Sequence, residues 1–140
     1  MNDSHDPLQH EVREALLACA REASTRAYAP YSLFKVGAAV LSDDGRIFSA
    51  ANIENASYGL TSCAERNAVF AAVFAGARRI VAVAIHTPTA APTAPCGACR
   101  QVIFEFGPEA RILSCCSGAA IDESSIGVLL PGAFGPRDLT

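Results

Sequence analysis

The chain has 140 residues, 51% of them hydrophobic, and a net charge of −3. That is the size of one domain with room for a real core, so the expected organisation is a single domain over 1–140 with Met1 to about Asp6 frayed. No apolar run approaches the roughly 18 residues of a membrane span. The first ten residues are polar rather than signal-like, and the Lys/Arg content holds no run beyond the pair Arg78-Arg79, so membrane insertion, secretion and polynucleotide binding are disfavoured.

From Pro7 to about Ala27, Val12, Leu16, Leu17, Cys19, Ala20 and Ala23 recur at helical spacing, with Glu11, Arg13, Glu14, Arg21 and Glu22 on the other side. This predicts an amphipathic helix packed on a sheet, ended where Pro30 pushes Ala29 out of helical geometry. Leu33 to Leu41 and Arg46 to Asn52 read as an antiparallel pair joined through Ser42-Asp43-Asp44-Gly45, an Asp-Gly hairpin. Both faces of the first strand are largely apolar, so the sheet is covered on both sides. Cys63 to Phe74 reads as a buried helix with Ser62 as N-cap, and Ala77 to His86 as a buried strand parallel to a neighbour. Thr87 to Ala94 is a loop, Cys96 to Phe106 a helix, and Arg111 to Cys115 or Cys116 a strand. A short strand is expected near Ala119 to Ile121, followed by a short helix from a Ser125 cap to Leu130, stopped by Pro131-Gly132. This order predicts a three-layer α/β/α sandwich on a mixed sheet.

The chemistry concentrates in Ser62-Cys63-Ala64-Glu65-Arg66 and Pro95-Cys96-Gly97-Ala98-Cys99-Arg100-Gln101, each opening a helix. Cys96 and Cys99 stand three apart, so both sulfurs fall on one side of a first turn whose unpaired N–H groups and dipole favour thiolates. With Cys63 they make three thiolates, one ligand short of a closed tetrahedral zinc site, and Glu65 stands beside them as a proton carrier. Arg66 adjoins Glu65 and is placed to donate to a ligand sulfur, offsetting the negative charge of three thiolates. Cys19, Cys115 and Cys116 read as packing residues and His86 as a strand-end histidine. With three thiols in a metal cluster and two others adjacent in sequence, a reducing cytoplasm fits better than a disulfide framework. Asn52 and Glu54 lie two apart in extended chain and point the same way; by position alone they are polar residues leaving a strand.

Cys63-Ala64-Glu65 with Pro95-Cys96-x-x-Cys99 resembles the zinc nucleoside and nucleobase deaminases. Tyr28-Ala29-Pro30-Tyr31-Ser32, Phe34-Lys35-Val36-Gly37-Ala38-Ala39, Asn52-Ile53-Glu54-Asn55-Ala56-Ser57-Tyr58 and Leu129-Leu130-Pro131-Gly132-Ala133-Phe134 narrow this to the small, homotetrameric class of cytidine deaminase. The resemblance runs from about Glu14 to Phe134. It implies the cytidine deaminase fold, one Zn²⁺ per subunit on Cys63, Cys96 and Cys99, and Glu65 as general acid/base. It also implies that Phe34, Asn52, Glu54 and Ala64 contact a free pyrimidine nucleoside, and that Phe134 reaches a neighbouring subunit's site in a homotetramer. The implied reaction is hydrolysis of cytidine or deoxycytidine to uridine or deoxyuridine and ammonia, in pyrimidine salvage. A blasticidin S-type deaminase shares the thiol motifs, but Asn52-Ile53-Glu54-Asn55 favours a plain nucleoside. A structural zinc module needs a closed site and no Glu65, and a redox Cys96-x-x-Cys99 leaves Cys63 unexplained.

Overall fold

A computed structural model describes residues 6–140, so the expectation for residues 1–5 lies outside the described residues. Asp6, expected in the frayed segment, is instead tied down: its carboxylate accepts from Leu8 N at 2.9 Å and pairs with Arg111. The elements are α1 (His10–Ser24), β1 (Gly37–Ser42), β2 (Ile47–Ala51), α2 (Ala64–Phe74), β3 (Ile80–His86), α3 (Gly97–Phe106), β4 (Arg111–Cys115), β5 (Ile121–Ser125) and α4 (Ile126–Leu129). The strands form one sheet in the order β2-β1-β3-β4-β5, parallel between β3 and β4 and antiparallel elsewhere.

Two cores flank this mixed sheet. Leu16, Leu17 and Ala20 of α1 pack on Ala39, Leu41, Ala82, Ala84 and Leu113. On the opposite face Ala64, Ala68, Val69 and Ala72 of α2, Ile103 of α3 and Ile126 of α4 pack on Ala38, Val40, Val83, Ile85 and Ile112. The result is the expected three-layer sandwich, with alternate residues of each central strand serving opposite cores. Helix α1 comes so close to β1 that a Cβ at Gly37 would lie 2.0 Å from Ala20 O, which only glycine permits.

Three boundaries differ from expectation for physical reasons. The first strand begins at Gly37 rather than Leu33, because Leu33 has φ +60° and the Asn52 side chain takes the place of ladder partners. Its Oδ1 accepts from Val36 N at 2.9 Å and its Nδ2 donates to Phe34 O at 2.8 Å. The caps of α2 and α3 are Cys63 and Cys96 themselves; Ser62, expected to cap α2, donates to Asn67 Oδ1 instead. The last strand covers Ile121–Ser125 rather than Ala119 to Ile121, and Ser125 caps α4 as expected, its Oγ accepting from Val128 N at 3.3 Å.

Candidate active site

The N-termini of α2 and α3 come together, bringing the cysteines they carry into one cluster. Cys63 and Cys96 each stand at an N-cap, with backbone in the extended region and no cap hydrogen bond from the side chain, so both sulfurs are free to face each other. Cys99 follows within the first turn of α3 and is fully buried. The three sulfurs lie within 4.8 Å of one another, with Cys96 Sγ and Cys99 Sγ 3.4 Å apart. Tetrahedral zinc with Zn–S of about 2.3 Å requires sulfurs about 3.8 Å apart, so this donor set fits the ion. Among the described residues the cluster has three members, which leaves one position open.

The electrostatics suit a cation. Cys63 is held down to about 5, first by its hydrogen bond with Cys99 and then, against burial, by the Arg66 guanidinium, whose Nη2 donates to Cys63 Sγ at 3.3 Å. The same Cys63 contact and burial push the Cys99 thiol up. Glu65, in the first turn of α2 and only 5% exposed, has its carboxyl raised chiefly by burial, with the Cys99 hydrogen bond acting against that. A buried carboxyl beside three thiols is what a proton carrier at a metal centre requires.

A cavity of about 420 Å³ opens in front of this cluster, lined by Phe34, Asn52, Glu54, Cys63, Ala64, Glu65, Cys96 and neighbours. Its volume falls in the range of small-molecule sites. Larger cavities of about 610 and 680 Å³ lie elsewhere and hold neither the thiols nor Glu65. Asn52 and Glu54 do face the same space, but both also carry structure. Glu54 Oε1 accepts from Tyr31 N at 2.9 Å and Ser32 N at 3.1 Å, and its Oε2 accepts from the Ser32 hydroxyl. These bonds, the Ser32 hydroxyl foremost, hold its carboxyl below the usual range. Each side chain thus orders the segment that carries Phe34 and keeps some hydrogen-bonding capacity for a ligand. Phe134 is the exception: it is 59% exposed and does not line its own chain's cavity.

Sequence reasoning did not single out several residues that build the site. Arg100 Nε donates to Pro95 O at 2.7 Å and its Nη1 to Leu129 O at 2.8 Å, bracing the turn before Cys96 against the end of α4. Asn67 Nδ2 donates to Ala51 O at 2.9 Å, and Asn67 N to Cys63 O at 3.1 Å, fixing the turn that presents Cys63. Thr61, Thr87 and Thr93 line the cavity. For Arg100 the only sequence signal was membership of the Cys96–Gln101 motif; for the others there was none.

An α/β sandwich with an open three-thiolate site and a buried carboxyl at paired helix N-termini defines a zinc-dependent hydrolase. Residues 10–115 match the family described as cytidine and deoxycytidylate deaminase zinc-binding region. The cytidine deaminase of Sporosarcina psychrophila is 48% identical over 129 residues, covering 91% of this chain and 94% of that one. That of Mycobacterium tuberculosis strain H37Rv is 43% identical over 120 residues, covering 86% and 87%. A crystal structure of cytidine deaminase from Burkholderia pseudomallei is 48% identical, superposes with a TM-score of 0.84, and is matched over 86% of this chain and 98% of that one. The chain belongs to the cytidine deaminase family.

Proposed function

We propose that the protein hydrolyses the exocyclic amine of cytidine and deoxycytidine, giving uridine and deoxyuridine with release of ammonia, as a step of pyrimidine salvage. The observation that carries this reading is the buried Glu65 carboxyl set against three clustered sulfurs at one end of a nucleoside-sized cavity. Cys63, Cys96 and Cys99 hold the zinc. When bound, zinc lowers the pKa of water so that hydroxide is available near neutral pH. Glu65 takes a proton from the attacking water, gives one to ring N3, and later delivers one to the leaving amine. Burial raises its carboxyl above the ordinary carboxylate value, which makes the ionised group a stronger base toward the water's proton.

Arg66 offsets the net charge of about −1 that three thiolates leave on a divalent ion. At about 5 Å and an effective dielectric near 20, one positive charge is worth roughly 3 kcal/mol. Glu54 accepts from a ribose hydroxyl, and Asn52 uses its remaining N–H or lone pair on the other. Ala64 lies against the base, and Phe34 brackets the pyrimidine together with Phe134 of a neighbouring subunit in a homotetramer. A cytoplasmic setting is consistent with six free cysteines, and among the described residues no helix is long and apolar enough to cross a membrane.

Zinc content measured with ammonia release from cytidine, deoxycytidine, cytosine and blasticidin S tests the reading. One zinc per subunit and preference for the two nucleosides is the expected result. A zinc-loaded protein that leaves cytidine untouched, or prefers blasticidin S, overturns it.

A further inference from the structure

The loop from the end of β3 to Cys96 carries three threonines whose hydroxyls meet. Thr87 Oγ1 and Thr89 Oγ1 are 2.7 Å apart, Thr89 Oγ1 donates to Ala91 O at 2.6 Å, and Thr93 Oγ1 lies 3.4 Å from Thr89 Oγ1. A hydroxyl has one proton to give, and a carbonyl oxygen can only accept. The Thr89 proton is therefore spent on Ala91, and the close Thr87–Thr89 contact requires Thr87 to donate to Thr89. That leaves Thr87 with lone pairs alone for any third partner. The rest of the loop fixes this arrangement: Thr87 N donates to Cys115 O at 3.2 Å and Ser117 N to Thr89 O at 3.0 Å.

Thr87 faces the nucleoside cavity. Val83 and Ile85 belong to the core under α2 and α3, whereas Ala82 and Ala84 belong to the core under α1, so strand alternation carries Thr87 to the side of the thiol cluster. It lines the cavity with Ile85, Thr93 and Cys96 and is 3% exposed. Ser32, Glu54 and Thr61 also border a second cavity with Tyr31 and Tyr58, which marks that end as the outer one. Thr87 therefore belongs with Glu65 at the buried, reacting end.

Resting on the functional reading above, we propose that Thr87 is an acceptor-only wall of the site, polarised by Thr89, that accepts from the exocyclic amine of the substrate and disfavours the product's carbonyl. Cytidine presents an N–H donor at that ring position and uridine only an acceptor. Thr87 thus selects substrate over product and eases product release, while Thr89, outside the cavity lining, acts as a positioning residue.

The test uses the zinc-loaded full chain, with cytidine turnover and equilibrium binding of uridine by calorimetry as separate readouts. Thr89→Val frees the Thr87 proton to turn into the cavity, so uridine should bind about three- to tenfold tighter while the KM for cytidine rises; Thr89→Ser should restore both. Thr87→Val should lower kcat/KM for cytidine by about three- to tenfold without weakening uridine, and Thr87→Ser should be close to the parent. Unchanged uridine affinity in Thr89→Val, or equal weakening of both nucleosides, overturns the proposal while leaving the deaminase reading intact. A parent protein that releases no ammonia from cytidine overturns that reading, and this inference with it.

Discussion

Glu65 and Cys99 share one small cluster, and replacing each tests a different half of the chemistry. Glu65→Gln keeps size and hydrogen bonding but removes the proposed proton carrier, so zinc should stay while turnover falls by about 10²–10⁴-fold. Cys99→Ala removes a buried ligand, so zinc should be lost and thermal stability with it, because the metal no longer ties α3 to α2. Metal analysis and single-turnover kinetics on the two variants check this; zinc retained at full occupancy in Cys99→Ala would remove it from the ligand set. The thiols and Glu65 were legible in sequence because their relation is local, set by one helical turn and a cap. The second task of Asn52 was not. Its bonds to Val36 N and Phe34 O depend on two chain segments that meet only in the folded sheet. The Thr87–Thr89 pair was hidden for a different reason: a threonine in a loop carries no signal of where its proton goes.

At the scale of elements, β5 shows where reading fails and what the structure uses instead. Ile121–Ser125 has no apolar alternation, since it is a polar edge strand, and so its position was misjudged by about two residues. Elements with a buried face, α1, β1, α2 and β3, were recognised because a core imposes a period on them, and only their ends moved. The edge strand is held by charge. Glu123 accepts from Arg111 Nε at 3.0 Å and Arg13 Nη1 at 2.6 Å, joining β5 to β4 and α1, and Arg111 also pairs with Asp6. The Arg111 hydrogen bonds, more than any other contact, hold the Glu123 carboxyl below the usual range. A depressed carboxylate stabilises the fold above its ordinary value near 4.5, and that contribution disappears as pH falls through the lowered value. Glu123→Gln should therefore cost about 1 kcal/mol near pH 7, lowering Tm by about 3 °C. The gap should close as pH falls through the lowered value of Glu123, where the parent carboxylate becomes protonated too. Thermal melts across that range check it: a gap that persists in acid would mean that the side chain acts by packing.

At the scale of the whole molecule, the proposed function makes a single chain's site depend on a neighbour. Tyr58, Leu60, Phe74, Val128 and Phe134 are all more than half exposed in the single chain. Phe134 sits on a segment braced from the metal-bearing helix, where Gln101 Nε2 donates to Phe134 O at 2.8 Å, yet its ring lies outside its own chain's cavity. The proposed homotetramer resolves this by giving the Phe134 ring to a neighbour, and that assignment has a consequence no single-chain site shares. Phe134→Ala should raise the KM for cytidine, and Glu65→Gln should lower turnover by about 10²–10⁴-fold, each in its own homo-oligomer. When the two variants are unfolded together and refolded as mixed oligomers, some sites combine an intact Glu65 from one chain with an intact Phe134 from the other. Those sites should recover the parent KM, so the mixture should show a fast, low-KM component absent from both parents. If Phe134 instead served its own chain, every mixed site would lack either the proton carrier or the ring, and kinetics of the mixture would be the simple sum of the two variants.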